Sequence, residues 1–277
     1  MFSRIVNLKI FSLIVISISG MGIVTPVSAQ FAVEEGLISY WSFDKDTVKG
    51  DTVKDLWGNQ DAESVGKIAF ADGKIGQALK LEGGAGNYLL VTDDIKAAKI
   101  PTKEITTEAW VLTERFIEWG SFIGCMQDNG SFEKGWTLGM NNLISFAIST
   151  VKAKGVDGDG LLTYLKAGAL DTGKWYHVVG TYDGKATKIY INGELKAETD
   201  IQTGDINYPA NAFFTIGSYK DDNEDFTHDG LIDEVRLYEK VLTIDEVKQN
   251  FNSQGLAVHP TGKLSVIWGR IKASAIQ

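Results

Sequence analysis

The chain has 277 residues, a formal net charge of −9, 44% hydrophobic residues and only 4 prolines. This is a globular composition, long enough to bury a full core, and it excludes a disordered or collagen-like chain. The acidic balance argues against a nucleic-acid partner, because phosphate backbones repel it, and a lone cysteine, Cys125, excludes an intrachain disulfide.

Residues 1–29 read as a secretory signal peptide. Arg4 and Lys9 form a basic start, Ile10 to Val24 is an apolar run, and Val27-Ser28-Ala29 places small residues before a cleavage at Gln30. The run is shorter than the roughly 18–20 residues that span a bilayer. Losing two bases and no acid takes the charge from −9 to −11 in the mature chain. The expectation is an exported protein, secreted or at the cell surface or in the periplasm, with no membrane span after signal cleavage.

From residue 30 on, turn signals alternate with β-rich runs, the rhythm of an all-β sandwich or barrel. The pattern predicts strands near 36–43, 67–71, 76–82, 87–92, 105–114, 121–126, 135–140, 143–150, 161–167, 175–182, 187–192, 194–199, 213–219 and 230–238. Cys125 sits in the apolar run Ser121–Met126 and reads as a buried, inert thiol. Asp183-Gly184 and Asn192-Gly193 each supply a φ > 0 dipeptide between alternating runs, the mark of a hairpin. Thr243 and Glu246 have capping-box spacing, and Ile244, Val247 and Phe251 share one face, which predicts a short helix to about Asn252 with Gly255 as a stop. The domain is therefore expected over 30–255. The tail 256–277, broken by His259-Pro260 and then alternating basic and apolar residues, reads as a separate appendage.

Five stretches resemble one family in order and spacing. These are Gly36–Asp44 with the loop Asp55–Asn59, Gly73–Leu81, Lys174–Gly184, Ile189–Gly193 and Gly230–Tyr238. They are similar to bacterial secreted laminin G-like jelly rolls of the concanavalin A-like lectin/glucanase superfamily. The resemblance implies an all-β, two-sheet antiparallel jelly-roll sandwich with a concave groove and one short C-terminal helix. It also implies a binding module, with carbohydrate (glycan) the first expectation, an extracellular protein-binding or adhesion domain the alternative, and a glycoside hydrolase a second alternative.

No enzyme is expected. The alternating carboxylates that hydrolases of this superfamily place along one strand are absent, and Asp233 and Glu234, being adjacent, should point to opposite faces of a strand. His177, His228 and His259 lack metal-ligand spacing. The resemblance does imply Ca²⁺, a structural ion with Asp44 and Asp233 as its preferred metal ligands. Asp221–Asp225 and Asp157-Gly158-Asp159-Gly160 are further acidic candidates, the latter reading better as a tight turn. Sugars pack their C–H faces on flat rings beside polar groups, so Trp119, Asn129, Trp136, Tyr208 and Phe226, in or near presumed loops, are the candidate ligand-binding residues. Trp41, Trp110 and Trp175 fall inside matched strands and are expected in the core. The expected partner is an extracellular or cell-surface glycan, or a protein ligand.

Overall fold

The computed structural model describes residues 30–128, 132–153 and 162–256. The expected signal peptide, Asn129, the Asp157-Gly158-Asp159-Gly160 loop and the tail after Leu256 lie outside these residues.

Two antiparallel sheets pack face to face. The first runs Glu194–Thr199, Thr187–Ile191, Trp175–Tyr182, Ile105–Arg115, Asp225–Tyr238, Gln77–Gly84, Ala69–Asp72, and Leu37–Trp41 and Ser218–Lys220 also pair with Asp225–Tyr238. The second runs Thr163–Lys166, Leu143–Ile148, Glu133–Asn141, Ser121–Asp128, Phe213–Ile216, Tyr88–Thr92, Ala62–Val65, Thr52–Val53, Val48–Lys49. Thr150–Ala153 and Gln202–Ile206 form a small ribbon of their own. The jelly-roll expectation holds. The 175–199 hairpins and the capped helix Ile244–Phe251 stand where local signals put them, with Thr243 and Glu246 closing both halves of the capping box.

Alternation along the strands makes the core. Ile123, Cys125, Trp136, Leu138, Ile144, Phe146, Phe214 and Ile216 point from the second sheet, and Leu79, Ala109, Val111, Val178, Tyr182, Ile189, Ile232 and Leu237 meet them from the first. Trp41 joins this core, whereas Trp110 is buried on the opposite side of the first sheet, stacked 5.5 Å from Phe251 of the helix, and Trp175 is only half-buried. Cys125 is fully buried, and burial pushes its thiol up.

The expected strand 213–219 is two strands. Gly217, at φ 93°, breaks it: Phe213–Ile216 pairs in the second sheet, and Ser218–Lys220 crosses to the first. A Cβ on Gly217 would press on the end of the Leu81 side chain, and the backbone angle itself favours glycine. This crossing brings Tyr219 against Met126 of the second sheet.

His228 lies edge-to-face 5.1 Å from Phe122, fully buried, and burial holds it down to about 4. An unfolded histidine titrates near 6.5, so the unfolded chain takes up the proton first and stability falls as pH drops from about 6.5 toward 4, by up to about 3 kcal/mol. Across that range the denaturation midpoint of wild type should fall relative to that of His228→Leu. Parallel curves would show that His228 does not carry the loss.

Candidate functional site

The outer face of the second sheet is the place where recognition chemistry gathers. Residues alternating with the core ones point there: Gly124, Met126 and Asp128; Glu133, Gly135, Thr137 and Gly139; Ser145 and Ala147; Leu162 and Tyr164. The middle of this face is built of small residues. Aromatic rings stand over one end. Met126, Ala147, Leu162 and Tyr219 form a cluster separate from the main core, with Tyr164 and Phe226 packed against it. Trp119, in the left-handed region at φ 68°, meets Tyr164 edge-on at 5.3 Å, and Phe226 lies 5.8 Å from Tyr219.

Four carboxylates surround these rings. Glu133 stands directly across from Asp128 on the neighbouring strand. Burial raises Glu133 above the usual carboxylate range, and Asp128 adds to it. Burial also raises Glu224, with Asp221 and Asp128 adding to it. Burial followed by these four acids pushes the Tyr164 hydroxyl well up, and burial, then Tyr164, then Asp221, Asp128 and Glu224 do the same to Tyr219.

The structure separates the expected ligand-binding residues. Trp119 and Phe226 stand half-buried in this cluster. Trp136 is a correction, and Tyr208, partly buried, lies with it rather than in the cluster. Trp136 is 0% exposed and points into the core, where its indole N–H donates to the Tyr208 hydroxyl (2.7 Å), which donates to the carbonyl of Pro101 (2.8 Å). Trp136 offers no ring face to a sugar, and the Tyr208 hydroxyl is already engaged. Residue 136 pairs with Cys125, so strand parity places it inside. Tyr164 and Tyr219 escaped the sequence reading. Tyr164 stands two residues from Leu162 on a predicted strand, and that period-two pairing is the signal available for it.

Asp44 and Asp233 do converge. The strand Leu37–Trp41 pairs with Asp225–Tyr238, and both carboxylates reach the turn Gly73–Gln77. Asp233 Oδ2 accepts from Ile75 N–H at 2.9 Å and Asp44 Oδ1 from Gln77 N–H at 3.0 Å. A Cβ at Gly73 would stand 2.6 Å from Asp233 Oδ2, and one at Gly76 would strike Asp44. Burial, then Glu234, and lastly Asp44 push Asp233 up to about 8. Two non-glycine residues in the left-handed region, Phe43 (φ 59°) and Glu234 (φ 52°), adjoin the two aspartates. Converging carboxylates held against their own charge fit a hard cation in kind. Among the described residues, however, no three His, Cys, Asp or Glu side chains come together as a metal site, so backbone carbonyls and water would have to complete the shell. In the 221–225 loop the carboxylates take donors from the protein itself. Asp221 Oδ1 accepts from Asn223 and Glu224 N–H (2.9 and 2.7 Å), and Asp225 accepts from Ser218 Oγ and Gly86 N–H.

The expectation that Asp233 and Glu234 point apart fails for a specific reason. Asp233 stands opposite Trp110 and Arg236 opposite Glu108, so two residues of one strand face one of the other. This bulge turns Glu234 to the side of Arg236. There, under the helix, a buried network forms. Arg236 Nη1 donates to Glu108 Oε1 (2.9 Å) and Nη2 to Glu234, Tyr40 donates to Glu234 (2.7 Å), and Asn250 donates to Glu108 (2.9 Å). His177 Nε2 lies 3.4 Å from the second Glu108 oxygen. Burial works to raise Glu108, but His177 and then Arg236 outweigh it and hold the carboxyl below its ordinary value. Glu108, His177, Glu234 and Arg236 are all at most 1% exposed, so this cluster anchors the helix and reaches no ligand.

The family model Laminin_G_3, described as the concanavalin A-like lectin/glucanases superfamily, matches residues 83–248. Mouse pappalysin-1 is 24% identical over 203 residues, 68% of this chain and 12% of its own length, and human pappalysin-1 is 22% identical over the same extent. The chain thus spans about an eighth of the length of these curated relatives. Among solved structures, domain 4 of AbnA, a GH43 extracellular arabinanase from Geobacillus stearothermophilus in complex with arabinotriose, superposes with a TM-score of 0.58 and 24% identity, covering 77% of this chain and 97% of that domain. Trypanosoma rangeli sialidase in complex with sialic acid gives 0.54 and 18%, covering 79% of this chain and 33% of the sialidase. The binding domain of Paraclostridial Mosquitocidal Protein 1 gives 0.52 and 16%, covering 78% and 52%.

Proposed function

The chain belongs to the concanavalin A-like lectin/glucanases superfamily, and from that premise we propose that it is an exported, non-catalytic module that binds glycans on the outer face of its second sheet. One observation carries this reading: Trp119, Tyr164, Tyr219 and Phe226 gather on that face beside hydrogen-bonding carboxylates, the pairing of flat rings and polar groups that sugars require. The resemblance to a domain solved with arabinotriose supports it. Calcium belongs to the proposal as a structural ion, held by Asp44 and Asp233 against the Gly73–Gln77 turn.

The test is a glycan array probed with the full chain, in calcium and in chelator. At least one glycan is expected to bind, and Trp119→Ala with Tyr164→Ala to weaken it about tenfold or more, roughly 1.4 kcal/mol, while the denaturation midpoint holds. No binding to any glycan in either buffer overturns the reading. A melting point that chelator leaves unchanged removes calcium from it.

A second reading has one observation in its favour. Asp128 and Glu133 face each other across neighbouring strands with Glu133 raised, and glycoside hydrolysis works with two nearby carboxyls of unlike protonation. Release of new reducing ends from a bound glycan, abolished by Glu133→Gln, would replace the non-catalytic proposal with this one.

A further inference from the structure

The aromatic cluster carries predominantly one sign of charge. Asp128, Glu133, Asp221 and Glu224 all act on the Tyr164 hydroxyl, and Asp221, Asp128 and Glu224 act on that of Tyr219. Neither hydroxyl makes a hydrogen bond among the described residues. Asp221 is 0% exposed, and its Oδ2 is buried without a donor. A buried carboxylate oxygen lacking a donor is an unmet demand for one. Lys220 and Lys134 carry the ammonium groups next in sequence to Asp221 and Glu133. Lys220 donates to the carbonyls of Asp221 and Glu224 and sits 4.8 Å over the Phe213 ring, and Lys134 lies 5.2 Å over Phe132.

Carboxylates around aromatic rings select a cation. The charges attract it, and ring faces add their own attraction through the quadrupole. Anionic sugars meet their own sign of charge there and are repelled. We propose, resting on the glycan reading above, that this face takes a sugar bearing a free amine, its ammonium beside Glu224, Asp128 and the tyrosine hydroxyls, over the buried Asp221 carboxylate that draws it from beneath, and its ring stacked on the aromatic cluster. Trp119 and Phe226 supply apolar surface at the edges of that cluster, so the ligand is read by charge at one point and by shape at another.

The experiment titrates the full chain with three hexamers matched in length: glucosamine, N-acetylglucosamine and galacturonate. The glucosamine hexamer is expected to bind at least about tenfold tighter than its acetylated counterpart, and galacturonate not at all. Glu224→Gln with Asp128→Asn should reduce the preference to near parity. Asp221→Asn, which keeps the acceptor for the loop amides, should do so alone. The chain is acidic overall and draws any polycation weakly, so Glu198→Gln, on the far edge of the first sheet, is the control and should keep the preference intact. Equal loss in that control, or an oligolysine peptide binding as tightly as glucosamine, would show bulk charge attraction and overturn the inference. If a neutral hexamer binds better, and Trp119→Ala weakens it, the glycan reading survives and the amine specificity falls. If no glycan of any charge binds, both fall.

Discussion

Replacing Arg236 with methionine is expected to cost about 3–5 kcal/mol, the typical penalty for breaking a buried ion pair by removing one partner. The guanidinium is 1% exposed and stands between Glu108 and Glu234, bonded to both, with its face 4.8 Å over the Tyr40 ring. Its removal leaves Glu234 with only the Tyr40 hydroxyl, and Glu108 with Asn250 and His177, in a space water does not reach. Domains of this size hold roughly 5–15 kcal/mol in total, so the variant should lose a large part of its stability, near 10 °C or more in melting temperature at about 2–4 °C per kcal/mol. Replacing Glu108 and Glu234 by apolar residues in the same chain should restore most of the loss, because the stranded charges go with the arginine. Chemical denaturation of the single and triple variants checks this. A single variant within 1 kcal/mol of wild type would contradict the network's role.

Trp136→Ala should cost a similar about 3–5 kcal/mol, as large-to-small changes of buried aromatics do. Trp136 is fully buried, lies 6.0 Å from Phe214, and ends the hydrogen-bonded chain through Tyr208 to Pro101. The contrast with Trp119 is the informative part. Per folded molecule, Trp136→Ala should leave glycan affinity unchanged while lowering the denaturation midpoint. Trp119→Ala should do the reverse, because its ring is half-buried at the edge of the aromatic cluster. A drop in affinity without a drop in stability for Trp136→Ala would return that residue to the binding face and undo the correction.

The two tryptophans also show how far sequence carries. Both flank glycine, Trp119-Gly120 and Gly135-Trp136, and both look like loop aromatics. They differ in a register that only pairing sets. Residue 136 is matched to Cys125 across the ladder and so faces inward, whereas residue 119 sits in a left-handed turn outside any ladder. Tyr219 reaches the aromatic cluster only because Gly217 sends the chain from one sheet to the other. The Asp233–Glu234 pair followed strand parity on paper, and a one-residue bulge cancelled it. Asp44 and Asp233, far apart in sequence, meet at one turn because the first strand pairs with the last, which is a matter of topology rather than of local sequence.

What the sequence determined by itself is local. Alternation of period two marks the strands, Asp-Gly and Asn-Gly mark the hairpins, and a threonine three residues before a glutamate marks the start of the helix. Each signal acts within a few bonds of the residues that carry it, so the jelly roll and its helix are legible from one chain. The candidate binding face is not legible in that way. Trp119, Tyr164, Tyr219, Phe226, Asp128, Glu133 and Asp221 come from five separate stretches, and register, a bulge and a sheet crossing decide which of them meet. Those are products of long-range packing, where one residue's shift in register turns a side chain from the face to the core.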